Sequence, residues 1–191
     1  MEFVDKHTIR VEKELNSLDR LVIDFCNVLS NFTTYVIVSG YVAILFGRSR
    51  MSEDIDIIID PINDTTIKRL NSELQKHGFY SINADKIKTI CSLLNESYSV
   101  RFARKATIIP NIELKFAKNP FEELALRERL KVMLPYANIF VSPIELQIAF
   151  KRVVLGSDKD KEDALHLEIV FQDLIDRKLL KQLENELERD Y

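Results

Sequence analysis

The stretch Ser39–Asp60 reads SGYVAILFGRSRMSEDIDIIID and holds two of the chain's four glycines, Gly40 and Gly47. It also holds two arginines two apart (Arg48, Arg50) and two aspartates two apart (Asp54, Asp56). Just before it, Tyr35–Ser39 (YVIVS) is rich in β-branched residues and reads as a buried strand. Tyr41–Phe46 suits a short helix ended by Gly47. Asp54–Asp60 (DIDIIID) alternates, reads as a second strand and stops at Pro61. Strand residues two apart share a face, so Asp54 and Asp56 project together while Ile55, Ile57 and Ile59 turn to the core. A strand that ends in Ser39-Gly40 and turns into a helix presents backbone N–H groups. Glycine there lets the chain approach a phosphate closely, and Ser39 adds a hydroxyl donor.

Two carboxylates on one strand face, with Cβ atoms roughly 7 Å apart, can rotate inward to share or bridge divalent cations. Mg²⁺ prefers oxygen ligands, one or two carboxylates plus substrate phosphates. Without a cation, two like charges at about 4 Å repel by roughly 4 kcal/mol at an effective dielectric near 20. Such a pair binds metal, keeps a proton or splays into water. The plainer reading of Asp-x-Asp is the wet face of an edge strand. The upstream glycine turn favours the metal reading.

Composition bounds the rest. The length of 191 residues suits one domain or a compact domain with a helical appendage, and 46% hydrophobic content supports a core. Lys+Arg at 27 against Asp+Glu at 30 gives a net charge of -3, which argues against a surface that grips nucleic acid all over. Cys26 and Cys91 lie far apart with no histidine at ligand spacing and read as core thiols. The first residues, MEFVDKHT, do not resemble a signal peptide, and the nearly apolar run Tyr35–Gly47 is too short to span a membrane. A soluble, cytoplasmic protein is the expectation.

The periodicity predicts a helix over Thr8–Phe32, another from Asp64 to about His77, and another over Asp85–Leu94. It predicts strands over Tyr98–Ala103, Ile108–Phe116, Leu126–Leu134 and Ala137–Val141. From Pro143 the chain reads as helices: Pro143–Leu155, Lys161–Arg177 and Lys178–Arg189. The expected fold class is α+β, a mixed β-sheet flanked by helices, with residues 1–141 forming the core and residues 142–191 a helical C-terminal region.

Val38-Ser39-Gly40 followed by Arg50-Met51-Ser52-Glu53-Asp54-Ile55-Asp56-Ile57 resembles the signature of the polymerase-β-like nucleotidyltransferase superfamily. That signature is a hydrophobic residue and two small ones, then Asp-x-Asp on the next strand. The form R-x-S-E-D-I-D is most similar to AbiEii-type toxin nucleotidyltransferases. Ser39 stands where the first of the small residues is more usually glycine. The resemblance implies a nucleotidyltransferase-type sheet and a third carboxylate between hydrophobic residues on a later strand. Ile112-Glu113-Leu114 fits that pattern, and the plainer reading of Glu113 is a surface carboxylate paired with Lys115. In the implied site Asp54, Asp56 and Glu113 are catalytic and hold two Mg²⁺ ions, while Ser39, Gly40, Arg50 and Lys151 meet the nucleotide. Lys151 echoes a helix lysine of AbiEii-like relatives, and Asp160 and Asp163 echo an acidic pair that follows it. The arginine expected before that pair is absent here, with Lys159 and Lys161 nearby.

The implied activity is transfer of a nucleoside monophosphate from an NTP to an acceptor hydroxyl on tRNA, a protein or a small molecule. The toxin-like form of the motif adds an antitoxin as an expected partner. Two other readings stand beside it. One is an inactive nucleotide-binding module of the same fold. The other is an interaction protein whose N-terminal helix and charged C-terminal helices make a homodimer or antitoxin surface.

Overall fold

The centre of the molecule is a pair of apolar strands, β3 (Tyr35–Val38) and β4 (Asp54–Ile59), the fifth and sixth of a nine-stranded sheet. The computed structural model describes residues 1–191. The remaining strands are β1 (Glu2–Asp5), β2 (Thr8–Arg10), β5 (Phe79–Ser81), β6 (Val100–Arg104), β7 (Asn111–Phe116), β8 (Leu130–Leu134) and β9 (Ala137–Val141). They run in the order β1-β2-β8-β9-β3-β4-β7-β6-β5. β3 pairs antiparallel with β4, β4 parallel with β7, and β7 antiparallel with β6, so the sheet is mixed.

Alternation along β4 and β7 divides the sheet into two faces. Ile55, Ile57 and Ile59 of β4 and Ile112, Leu114 and Phe116 of β7 are buried on one. Helix α1 (Ser17–Leu29) covers this face. Its Phe25 ring lies 5.7 Å from that of Phe102, which pairs with Ile112. Helices α3 (Asp64–Lys76) and α4 (Ile87–Asn95) complete the layer. The other face carries Asp54, Asp56, Ile58, Glu113 and Lys115. It meets α5 (Pro120–Arg127) and α6 (Ile144–Phe150), which line a cavity over it. A five-residue π-helical segment, Lys151–Leu155, follows α6, and then come α7 (Asp158–Val170) and α8 (Arg177–Asp190).

Several expectations change. The helix expected over Lys161–Arg177 runs over Asp158–Val170. Thr8–Arg10 is strand rather than the start of a helix, and the helix begins only at Ser17. β2 pairs in parallel with β8, a non-local partner whose ladder outweighs the local helical periodicity. Asn16 and Asp19 form the capping box that starts α1. The span Leu126–Leu134 is the end of a helix followed by a strand. Asn119 caps α5, Pro120 sits in its first turn, and β8 begins at Leu130. The helix from Pro143 loses its α-geometry at Lys151.

The short helix after β3, α2 (Gly40–Leu45), is tied down from both sides. Tyr41 donates its hydroxyl to Asp19 of α1 at 2.8 Å, and Asp19 also accepts from Lys13. α7 also packs against α2. The turn carrying Ser39 is therefore anchored to the helices around it.

Candidate active site

Parallel pairing of β4 with β7 puts Asp54 beside Asn111 and Asp56 beside Glu113. Residues in register on neighbouring strands point to the same face, so Asp54, Asp56 and Glu113 share the face beneath α5 and α6. The row continues onto β6, where Arg101 stands opposite Glu113. Arg101 Nη2 meets Glu113 Oε1 at 2.7 Å. The expected partner of Glu113, Lys115, instead binds Glu122 at the start of α5, at 2.8 Å.

Asp56 is the electrostatic focus. Burial, then the charge of Asp54, then that of Glu113 push its carboxyl up to about 6, against a hydrogen bond from the Ser39 side chain and the charge of Lys115. A divalent cation would relieve this repulsion, and all-oxygen donors suit Mg²⁺. No three His, Cys, Asp or Glu side chains converge on one point, and Glu113 turns toward Arg101. Asp54 and Asp56 with a repositioned Glu113 fit such an ion.

Ser39 sits at the turn with φ 63° and ψ -136°, a backbone region that L residues rarely adopt. This positive φ accounts physically for the glycine more usual at that position. Ser39 forms no helix cap; it lines the same cavity as Asp56, and its carbonyl accepts from Gln147 Nε2 at 3.2 Å.

The structure gives Gly40, Arg50 and Lys151 a different setting from the phosphate-facing one expected. Gly40 is buried, and a Cβ built on it would overlap the Arg50 guanidinium, so the residue there is small because arginine packs on it. Arg50 Nη2 binds Asp163 of α7 at 2.9 Å. Lys151 has 0% exposure, and its Nζ lies 3.0 Å from Asp160 and 2.9 Å from Asp163. Arg48 reaches Asp163 and Glu162. Asp160 and Asp163 therefore neutralise buried cations, and a phosphate approaching Lys151 would have to displace them. Burial works to raise the Asp160 carboxyl, but the Ser157 hydroxyl and Lys151 outweigh it and hold the carboxyl low.

A cavity of about 170 Å³ opens beside Asp56, with Ser39, Lys115, Ser142 and Gln147 as polar groups and Phe121 and Phe150 among its apolar walls. Pockets for drug-sized ligands run roughly 300–1,000 Å³, so this one takes an end of a nucleotide rather than the whole. The cavity and Arg101 escape a reading of the sequence. Arg101 alternates with Val100 and Phe102, which marks it as outward-facing but not as the partner of Glu113.

No protein-family profile and no curated protein sequence matches the chain. Solved structures do. An antigenic nucleotidyltransferase-like protein from Paracoccidioides brasiliensis aligns over 90% of this chain and 87% of its own, at 15% identity and a TM-score of 0.53. JHP933 from Helicobacter pylori aligns over 93% of this chain and 96% of its own at 14% identity, with a TM-score of 0.42, too low to add to the assignment. The chain has the nucleotidyltransferase-type fold: a large mixed sheet with helices on both faces and a helical C-terminal part. No helix is long and apolar enough to cross a membrane.

Proposed function

We propose that the chain is a metal-dependent nucleotidyltransferase that moves a nucleoside monophosphate from an NTP to an acceptor hydroxyl. The observation that carries this reading is the placement of Asp54, Asp56 and Glu113 on one sheet face, in register, beside a strained serine and a half-apolar cavity. Asp54 and Asp56 would hold Mg²⁺, whose charge offsets that accumulating on the phosphates as pyrophosphate leaves. The Ser39 hydroxyl shares the cavity wall with Asp56 and is placed to orient its carboxylate. The cavity under α5 and α6 takes the nucleoside end, with Gln147 and Ser142 as hydrogen-bonding groups and Phe121 and Phe150 excluding water. Glu113 is the third carboxylate and orients the acceptor hydroxyl for in-line attack at the α-phosphorus. The work is positioning and charge neutralisation. Arg50 and Lys151 stand outside this phosphate-binding set, because each already serves buried carboxylates.

The AbiEii-like form of the motif supports a toxin role in the cytoplasm, with tRNA as the acceptor and an antitoxin as the partner. A second reading, an inactive nucleotide-binding or interaction module, is favoured by one observation, the engagement of Glu113 with Arg101.

The test is transfer from each of four α-labelled NTPs with Mg²⁺ to pools of RNA, protein and small metabolites, run beside Asp54→Ala/Asp56→Ala. Label entering one acceptor class, and only with both aspartates intact, is the expected result. NTP binding without transfer to any pool supports the inactive module instead.

A further inference from the structure

The row Asp56–Glu113–Arg101 crosses three adjacent strands on one face, two acids and then a base. Glu113 is only 16% exposed at its side chain, so it needs a charge partner. Arg101 is 53% exposed, so it can swing into water at little cost. Lys115 is the other cation on this face of β7, and Glu122 already holds it at 2.8 Å. Arg101 is therefore the cation that neutralises Glu113. With Glu113 so engaged, the three acids do not converge.

We infer that Arg101 is a displaceable counterion that holds Glu113 away from the Asp54–Asp56 pair, so that loading of a divalent cation competes with the Arg101–Glu113 ion pair. The inference rests on the nucleotidyltransferase reading above and assigns Arg101 a positioning role in it. A carboxylate oxygen that turns toward Asp56 gives up its contact with Arg101, and the incoming cation replaces the charge that is lost. Asp54 and Asp56 then form the standing part of the site, and Glu113 joins only once the cation is present.

The experiment is a Mn²⁺ titration of the full chain, followed by the electron paramagnetic resonance of free Mn²⁺, for wild type, Arg101→Gln, Arg101→Lys and Glu113→Gln. It reads binding and needs no turnover. Arg101→Gln is expected to bind Mn²⁺ up to about fivefold more tightly at low salt. That is the factor corresponding to a partly exposed ion pair of up to about 1 kcal/mol, at 1.36 kcal/mol per tenfold. Arg101→Lys should fall between the two, and adding Arg101→Gln to Glu113→Gln should change nothing. Equal or weaker binding by Arg101→Gln overturns the inference and leaves the Asp54–Asp56 site standing. Mn²⁺ binding that is absent from wild type, or unchanged in Asp54→Ala/Asp56→Ala, overturns the metal reading of the site and the inference with it.

Discussion

At the scale of single residues, Ser39 and Asp56 set the character of the site. A non-glycine residue in such a backbone conformation costs on the order of 1–3 kcal/mol. Ser39→Gly should therefore raise stability by about 1 kcal/mol, net of the extra unfolded-state freedom of glycine, and shift the thermal midpoint up by a few degrees. The same change removes the hydroxyl that orients Asp56, so transfer should fall as the melting temperature rises. Melting curves and label transfer on one preparation check both. For Asp56 the sign follows from its carboxyl being raised from 3.8 to about 6 in the fold. The folded chain binds that proton more tightly than the unfolded chain. Asp56 therefore costs stability progressively as pH rises from about 4 to about 6, and the full cost, about 3 kcal/mol at 1.36 kcal/mol per pH unit, remains above that. In metal-free buffer at pH 7.5, Asp56→Asn should melt above wild type, and near pH 4 the two should converge. That Asp54, Asp56 and Glu113 face outward was legible from two-residue alternation. The positive φ at Ser39 and the pairing of Arg101 were not, because turn dihedrals and strand register are settled by the whole sheet.

At the scale of elements, the loop between α2 and β4 is fastened to the C-terminal helices through Asp163. This carboxylate has 0% exposure and meets Lys151, Arg50 and Arg48. Asp163→Ala leaves Lys151 buried with only Asp160, and Arg50 without its carboxylate. The expected cost is about 3–5 kcal/mol, a fall in thermal midpoint on the order of 10 °C. Lys151→Met should cost less, because Asp163 keeps two arginines. Urea or thermal unfolding of the two variants orders them. Gly40→Ala belongs to the same assembly: its methyl would push Arg50 off Asp163, so it should destabilise although it lies far from Asp163 in sequence. The charged residues of this assembly were visible in the sequence, and Lys151, Asp160 and Asp163 stood out through the resemblance to AbiEii-like nucleotidyltransferases. Their burial was not visible, because it depends on α7 packing against α2 and α6. Helix starts were partly legible: α3 begins at Asp64 as expected, with Asn63 as its cap, whereas α5, capped by Asn119 with Pro120 in its first turn, escapes the sequence reading and runs into the strand expected over Leu126–Leu134.

At the scale of the whole molecule, the carboxylate face depends on a long connection. The chain leaves β4, passes through α3, β5, α4 and β6, and returns as β7 to lie parallel beside β4. Only that topology sets Glu113 next to Asp56, which is why the resemblance could point to Glu113 by its flanking residues but not to its register. The helices after β9 then close the face, α6 contributing Leu146, Gln147 and Phe150 to the cavity wall. This closed face, and not the buried Arg50–Lys151 assembly, is the proposed seat of metal and nucleotide. The most direct test is a crystal structure with Mn²⁺ and a non-hydrolysable NTP analogue, using the anomalous signal of manganese to locate the ions. The expected result is manganese on Asp54 and Asp56, with the nucleoside in the cavity between Phe121 and Gln147. Manganese or triphosphate seated instead at Lys151 and Arg50, or away from the Asp54–Asp56 face, would contradict it.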